Sequence, residues 1–116
     1  MIEGHFLRFY VREDHRHHHV LLWEWLLDQA NKMGIRGGSA FKAMAGFGRH
    51  HVLHEQRFVE LAGQVVVEVE FIVNEVESRQ LLELLEREKI RVFYACIPAK
   101  FGVLNPDLRD APESAS

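Results

Sequence analysis

Histidine is concentrated at two places in this chain, and its imidazole ring can bind a transition metal or exchange a proton near neutral pH. The first run comprises His15, His17, His18 and His19, and the second comprises His50, His51 and His54. A spacing of three or four residues in a turn or helix can direct two rings toward one ion, so each run is a candidate source of ligands for zinc, copper or nickel. Neither run has paired cysteines or an adjacent carboxylate pattern, and solvated histidines are the alternative.

The segment at residues 45–54, AGFGRHHVLH, is a second candidate site. Gly46 and Gly48 flank Phe47 and free the backbone to wrap an anion, while Arg49 and His50 supply hydrogen-bond donors. Many glycine-flanked turns only reverse the chain, so this motif alone is a weak indication of a ligand loop.

The sequence gives little support for catalytic activity. Neither Ser39 nor Ser78 lies in a G-x-S-x-G pattern, and the single Cys96 falls in an apolar run that predicts a buried, inert thiol. Cationic side chains suited to an anion are Arg36, Lys42, Arg49, Lys89, Arg91 and Lys100. Each one resembles an ordinary surface charge, but several flank predicted strands and could converge on a cleft between subunits. We therefore expect a binding protein that is not an enzyme.

The composition narrows the class of protein. With 116 residues, 47% of them hydrophobic, the chain can form one folded domain. A net charge of −3 argues against a general nucleic-acid binder. Because no segment has the roughly 20 apolar residues of a membrane span or the pattern of a signal peptide, we expect a cytoplasmic protein that does not span a membrane.

Hydrophobic periodicity predicts six main elements. Strict alternation from Val65 to Val73 is the clearest strand signal, and Asn74 with Glu77 forms a capping-box pattern that begins a helix. The predicted strands cover residues 5–11, 37–45, 65–73 and 90–97, and the predicted helices cover residues 20–33 and 75–88.

The order β-α-β-β-α-β predicts an α+β, ferredoxin-like fold in which an antiparallel sheet carries both helices on one face. The other face would be left uncovered, and oligomerisation is a common way to bury such a surface. All three prolines lie at or beyond position 98. We therefore expect a domain at residues 1–97 and a mobile C-terminal extension at residues 98–116.

Four motifs occur together over about residues 4–97: the LRFYV first strand followed by an acidic turn, the segment MGIRGGS, the loop start AMAGFGR and the strand VVVEVEFIV. With these motifs the chain resembles the PII-like signalling proteins, and most closely a small, largely uncharacterised branch of them. A glycine-rich strand start followed by GFG at the entrance to a long loop is more specific than either piece alone.

This resemblance implies a homotrimer that binds an adenine nucleotide in clefts between subunits. The loop at residues 46–57 would correspond to the T-loop, which contacts a target such as a membrane transporter or a metabolic enzyme. The nucleotide-binding residues implied by the resemblance are Gly37, Gly38, Ser39, Gly46, Phe47, Gly48, Arg49 and Lys89.

Two departures from the family pattern affect the expected ligand. Glu88 replaces a glycine before Lys89 and adds a carboxylate, which favours AMP or ADP over ATP. His50 stands where typical members have a magnesium-binding glutamine. The alternative is a metal-responsive protein similar to the trimeric divalent-cation-tolerance proteins, in which His15, His17, His18 and His19 would bind the metal.

Overall fold

Strands dominate the chain, and two helices interrupt them. The computed structural model describes residues 1–47, 54–55 and 65–110, with the backbone alone at residues 54–55. The strands are β1 (Ile2–Arg12), β2 (Arg16–His17), β3 (Val20–Leu21), β4 (Gly38–Lys42), β5 (Ala45–Gly46), β6 (His54–Glu55), β7 (Val66–Asn74) and β8 (Phe93–Phe101). The helices are α1 (Leu22–Lys32) and α2 (Glu75–Arg87). Within the described ranges, neither helix has the length and apolar character needed to cross a bilayer.

Strand β7 carries the alternation that organises the main sheet. Its odd-numbered residues Val67, Val69, Phe71 and Val73 are buried on one face, together with Val65 immediately before the strand. β7 pairs antiparallel with β1 and β4, and β1 pairs antiparallel with β8. The resulting order β4-β7-β1-β8 confirms the predicted ferredoxin-like sheet.

Both helices cover the face of the sheet that presents Leu7 and Phe9 of β1. The side of α1 that carries Leu22 and Leu26 packs into this core, as does Leu81 of α2. Apolar residues at three- and four-residue steps form such a stripe because the helix has 3.6 residues per turn. The sequence periodicity therefore predicted which side of each helix is buried.

The start of α2 is fixed by a complete capping box. The Asn74 side-chain oxygen accepts a hydrogen bond from the Glu77 backbone N–H at 2.8 Å, and the Asn74 N–H donates to the Glu77 carboxylate at 3.0 Å. These two bonds satisfy donors that have no partner inside the helix. The predicted start of this helix is confirmed.

Other element boundaries differ from the prediction. The first helix begins at Leu22, because Val20 and Leu21 pair with β2 in a short hairpin. The second main strand ends at Lys42, and β5 is a separate short strand. The last strand starts at Phe93 and continues through Pro98 to Phe101. Residues 98–101 thus belong to the sheet and not to the extension.

Strand β8 tolerates proline because it lies at the edge of the sheet and pairs with β1 alone. The same position explains an error in the prediction for Cys96, which is exposed instead of buried. Cys96 is opposite Leu7 and so lies on the helix-facing side, but at this edge its side chain remains accessible to solvent.

The second face of the sheet carries no helix and is partly apolar. Its large exposed hydrophobic residues are Ile2, Phe41, Ile72, Phe93 and Ile97. On this face Arg8 forms an ion pair with Glu70 at 2.9 Å, and its guanidinium lies 5.0 Å from the centre of the Phe6 ring. This uncovered face combines hydrophobic area with a few charges.

Replacing the helix cap, Asn74→Ala, should lower the free energy of unfolding by about 1 kcal/mol, because the Glu77 N–H loses its acceptor. Urea denaturation followed by circular dichroism measures this loss. The matched control is Asn31→Ala in the last turn of α1, where the exposed side chain is not a cap. It should leave stability unchanged or slightly higher, and equal losses in both variants would contradict the capping role.

Candidate functional site

A groove of about 650 Å³ crosses the uncovered face of the main sheet. Gly37, Gly38 and Ser39, the predicted contacts to a nucleotide, line one side of it. Phe6, Ile72 and Phe101 contribute an apolar floor from three strands. The groove therefore places the glycine-rich start of β4 next to a surface on which an aromatic base could stack.

The charges around this groove are mixed. Arg36 contributes a cation immediately before the two glycines, and Glu70 and Glu77 contribute carboxylates. Glu70 is paired with Arg8, and Glu77 is engaged in the helix cap. Because both carboxylates already have partners, Arg36 is well placed to attract an anion.

The two adjacent glycines have different local roles. A β-carbon at Gly38 would lie 2.4 Å from the Phe71 ring, so the absence of a side chain there is required by packing. A β-carbon at Gly37 would meet nothing within 4 Å. Gly38 is therefore explained by the core alone, whereas Gly37 borders open space in which a ligand could approach the backbone.

The remaining predicted nucleotide contacts lie elsewhere in the chain. Gly46 belongs to β5, Phe47 is exposed immediately after it, and Lys89 follows α2. None of these three residues lines the groove formed by the described part of the chain. Gly48 and Arg49 fall outside the described residues. Within one protomer, the described members of the predicted site therefore lie in separate places.

The base of the predicted signalling loop is a short antiparallel ladder. Ala45 pairs with Glu55, and Gly46 pairs with His54. The first residue of the predicted loop at residues 46–57 therefore lies in a strand. Residues 48–53 and 56–57 fall outside the described part of the chain, as do His50 and His51.

Lys89 occupies the turn that ends α2. Its N–H donates to the Glu86 carbonyl at 3.0 Å, and the Ile90 N–H donates to the Leu85 carbonyl at 3.1 Å. Lys89 has a φ of 57°, as expected at this position of a Schellman motif. Glu88, which replaces the glycine of the family pattern, has a helical backbone conformation, and the left-handed residue of this turn is Lys89.

Glu88, the residue before this turn, joins two histidines of the first run. Nε2 of His17 donates to Oε1 of Glu88 at 2.8 Å, and Nε2 of His18 donates to the same oxygen at 3.2 Å. Both hydrogen bonds lower the pKa of the Glu88 carboxyl below its ordinary value, and the bond from His17 has the larger effect. The three side chains form a group whose ligand atoms all lie within 4.8 Å of one another.

The hairpin β2-β3 positions both rings. Its two central residues, His18 and His19, have φ values of 52° and 67°, as a type I′ turn requires. Side chains of consecutive residues in a strand point to opposite faces. His18 lies in the turn and has a positive φ, and its ring lies beside that of His17, with centroids 4.1 Å apart. Trp25 of α1 packs edge-on against His17 at 4.7 Å.

The structure brings two of the four histidines predicted as metal ligands into one group with a carboxylate. His17 and His18 come together, whereas His15 and His19 do not belong to the three-residue group found among the described side chains. Glu88 was not among the predicted metal ligands, because it lies 71 residues from His17 in sequence. The only sequence feature that drew attention to Glu88 was that it replaces a glycine of the family pattern.

The order and pairing of the main strands, with two helices on one face, define a ferredoxin-like α+β protein. The profile of the family described as "DUF190: Uncharacterized ACR, COG1993" matches residues 4–92, and the chain belongs to this family. The chain is also similar to a UPF0166 protein of Aquifex aeolicus (strain VF5). They are 26% identical over 102 residues, which cover 81% of this chain and 97% of the relative.

The substitution Gly38→Ala should destabilise the protein by roughly 1–3 kcal/mol, because the new methyl group displaces the buried Phe71 ring. The neighbouring change Gly37→Ala meets open space and should alter stability by less than about 0.5 kcal/mol. Thermal and urea unfolding of both variants measure the difference. Equal stability of the two would contradict the packing role of Gly38.

The substitution Lys89→Gly should raise the free energy of unfolding by up to about 1 kcal/mol, because glycine adopts a positive φ without the steric cost of a β-carbon. Arg87→Gly, within the last turn of α2, is the control and should have the opposite sign, with a loss of about 1 kcal/mol. Urea unfolding distinguishes the two, and a loss of stability in Lys89→Gly would refute the backbone argument.

Proposed function

We propose that this chain is a non-enzymatic, PII-like regulatory protein that binds an adenine nucleotide between the subunits of a homotrimer. The observation that carries the proposal is the position of residues 37–39 at a groove on the uncovered face of a ferredoxin-like sheet. The resemblance of the GGS and GFGR segments to PII-like proteins supports the proposal.

The uncovered face supports assembly. Five large hydrophobic side chains on that face are between 44% and 73% exposed in a single chain. Contact with neighbouring copies would bury this area and bring distant parts of the predicted site together. Gly46 and Lys89 of one subunit would then complete a cleft with the groove of another, which accounts for their separation within one protomer.

The charges favour a ligand with few phosphates. Arg36 lies beside Gly37 in the groove, and Lys89 would supply a second cation. Glu88 adds a carboxylate next to Lys89, whereas Glu70 and Glu77, which line the groove, already have partners. Because each additional phosphate would increase repulsion from Glu88, AMP or ADP should bind more tightly than ATP.

Signalling would use the loop at residues 46–57. The ladder between β5 and β6, which pairs Gly46 with His54, supports a loop that starts at this point. By the family resemblance, its target is a membrane transporter or a metabolic enzyme, and the nucleotide would change how the loop contacts that target. We place the protein in the cytoplasm, where adenine nucleotides report the energy state of the cell.

Isothermal titration calorimetry of untagged protein with AMP, ADP, ATP and cyclic AMP should detect binding in the micromolar to millimolar range, and native mass spectrometry should detect a trimer. The variant Gly37→Asp places a carboxylate in open space beside Arg36 and should weaken binding at least about tenfold without loss of stability. Gly48→Asp should abolish binding. This expectation rests on the family resemblance alone, because Gly48 lies outside the described residues.

The control for added charge is Gln80→Glu on the exposed side of α2, which should leave the affinity unchanged. Absence of heat with all four nucleotides, at protein concentrations where the trimer is present, would remove the nucleotide proposal. A strictly monomeric protein would remove the cleft between subunits.

A further inference from the structure

The group formed by His17, His18 and Glu88 joins two parts of the chain that the predicted nucleotide site does not explain. Two imidazole nitrogens approach one carboxylate oxygen at 2.8 Å and 3.2 Å. The side chains of His17 and Glu88 are 16% and 29% exposed, whereas His18 is 71% exposed. The group is therefore anchored on its inner side and open to solvent on its outer side.

Two imidazoles and one carboxylate form a donor set that suits zinc and neighbouring divalent transition metals. Tetrahedral zinc with bonds of about 2.0–2.1 Å needs its ligand atoms about 3.4 Å apart. The three ligand atoms lie within 4.8 Å of one another, so small side-chain rotations would reach this geometry. Magnesium and calcium prefer oxygen ligands in larger number, and a site with two nitrogens disfavours them.

We propose that His17, His18 and Glu88 bind a divalent transition-metal ion of the zinc class, which fastens the β2-β3 hairpin to the C-terminal end of α2. Water would complete the coordination on the exposed side of His18. The proposal does not depend on nucleotide binding, because none of the three ligands lines the groove, although Glu88 lies next to Lys89 of the predicted nucleotide site. The metal-responsive alternative predicted four histidine ligands. The proposed site keeps His17 and His18 and has Glu88 in place of His15 and His19.

Coordination would replace the present hydrogen bonds. Each Nε2 now carries a hydrogen that it donates to Glu88, and metal binding needs the lone pair of that nitrogen. A neutral ring would therefore hold its proton on Nδ1 in the bound state. Glu88 already presents one carboxylate oxygen, Oε1, to both rings, and the same oxygen would bind the ion.

Trp25 offers an internal optical probe of this site. Its ring packs against His17 with centroids 4.7 Å apart and is 9% exposed. A paramagnetic ion such as Co²⁺, Ni²⁺ or Cu²⁺ at the proposed site should quench Trp25 fluorescence. The variant Trp23→Phe removes the only other tryptophan and makes the signal specific to Trp25.

The test is a competition titration of untagged protein with Zn²⁺ and a chromophoric chelator, together with Co²⁺ absorption spectroscopy. We expect about one ion per chain at this site, with a Co²⁺ spectrum typical of nitrogen and oxygen ligands. Glu88→Gln and His17→Gln should each lower the affinity at least about tenfold, since each removes a ligand. They should also abolish the quenching of Trp25 by Co²⁺ in the Trp23→Phe background.

The matched controls are His15→Ala and His19→Ala, which remove histidines of the same run outside the group. They should change neither affinity nor quenching. Far-UV circular dichroism verifies that every variant is folded, and Glu88→Asp, which keeps the carboxylate, provides a second variant with partial binding. The proposal is overturned by Zn²⁺ binding that survives both ligand substitutions, by equal losses in the controls, or by Co²⁺ binding that leaves Trp25 fluorescence unchanged.

Discussion

The edge-to-face contact between Phe9 and Phe71 links the strands of the sheet to one another. Their ring centroids lie 6.2 Å apart at an interplanar angle of 67°, and both side chains are buried. Phe9 also lies 6.2 Å from Tyr94 of β8, and Phe71 fills the space above Gly38 of β4. Two rings on the central strands therefore reach both edge strands. A shift of register by one residue would turn either ring to the opposite face and break all of these contacts together.

The parts of the fold that the sequence predicted are those that one segment determines by itself. The alternation at residues 65–73 depends on which face of one strand is buried, and the cap at Asn74 depends on residues three positions apart. The errors involve neighbours that are distant in sequence. The last strand was predicted to end at residue 97, yet it continues through Pro98 because β8 pairs on one side only. Glu88 was read as a lost glycine, since nothing local indicates its contact with His17.

The candidate sites differ in the same way. Gly37 and Gly38 are equivalent in the sequence, and only the position of Phe71 distinguishes the glycine required by packing from the one beside open space. The groove lies on the face of the sheet without helices, whereas the histidine group lies where α2 ends. Glu88 and Lys89 are adjacent, but the first contacts the hairpin and the second adopts the left-handed turn. One short connection thus contributes to two chemically different surfaces.

The contact between His17 and Glu88 also constrains the order in which the chain can fold. The two residues are 71 positions apart, so their contact must await the docking of α2 against the sheet. The turn between β2 and β3 has little preference of its own, because two histidines adopt a positive φ that residues with a β-carbon disfavour. The conformation of the hairpin therefore depends on its contacts with α1 and with the end of α2 more than on its own sequence.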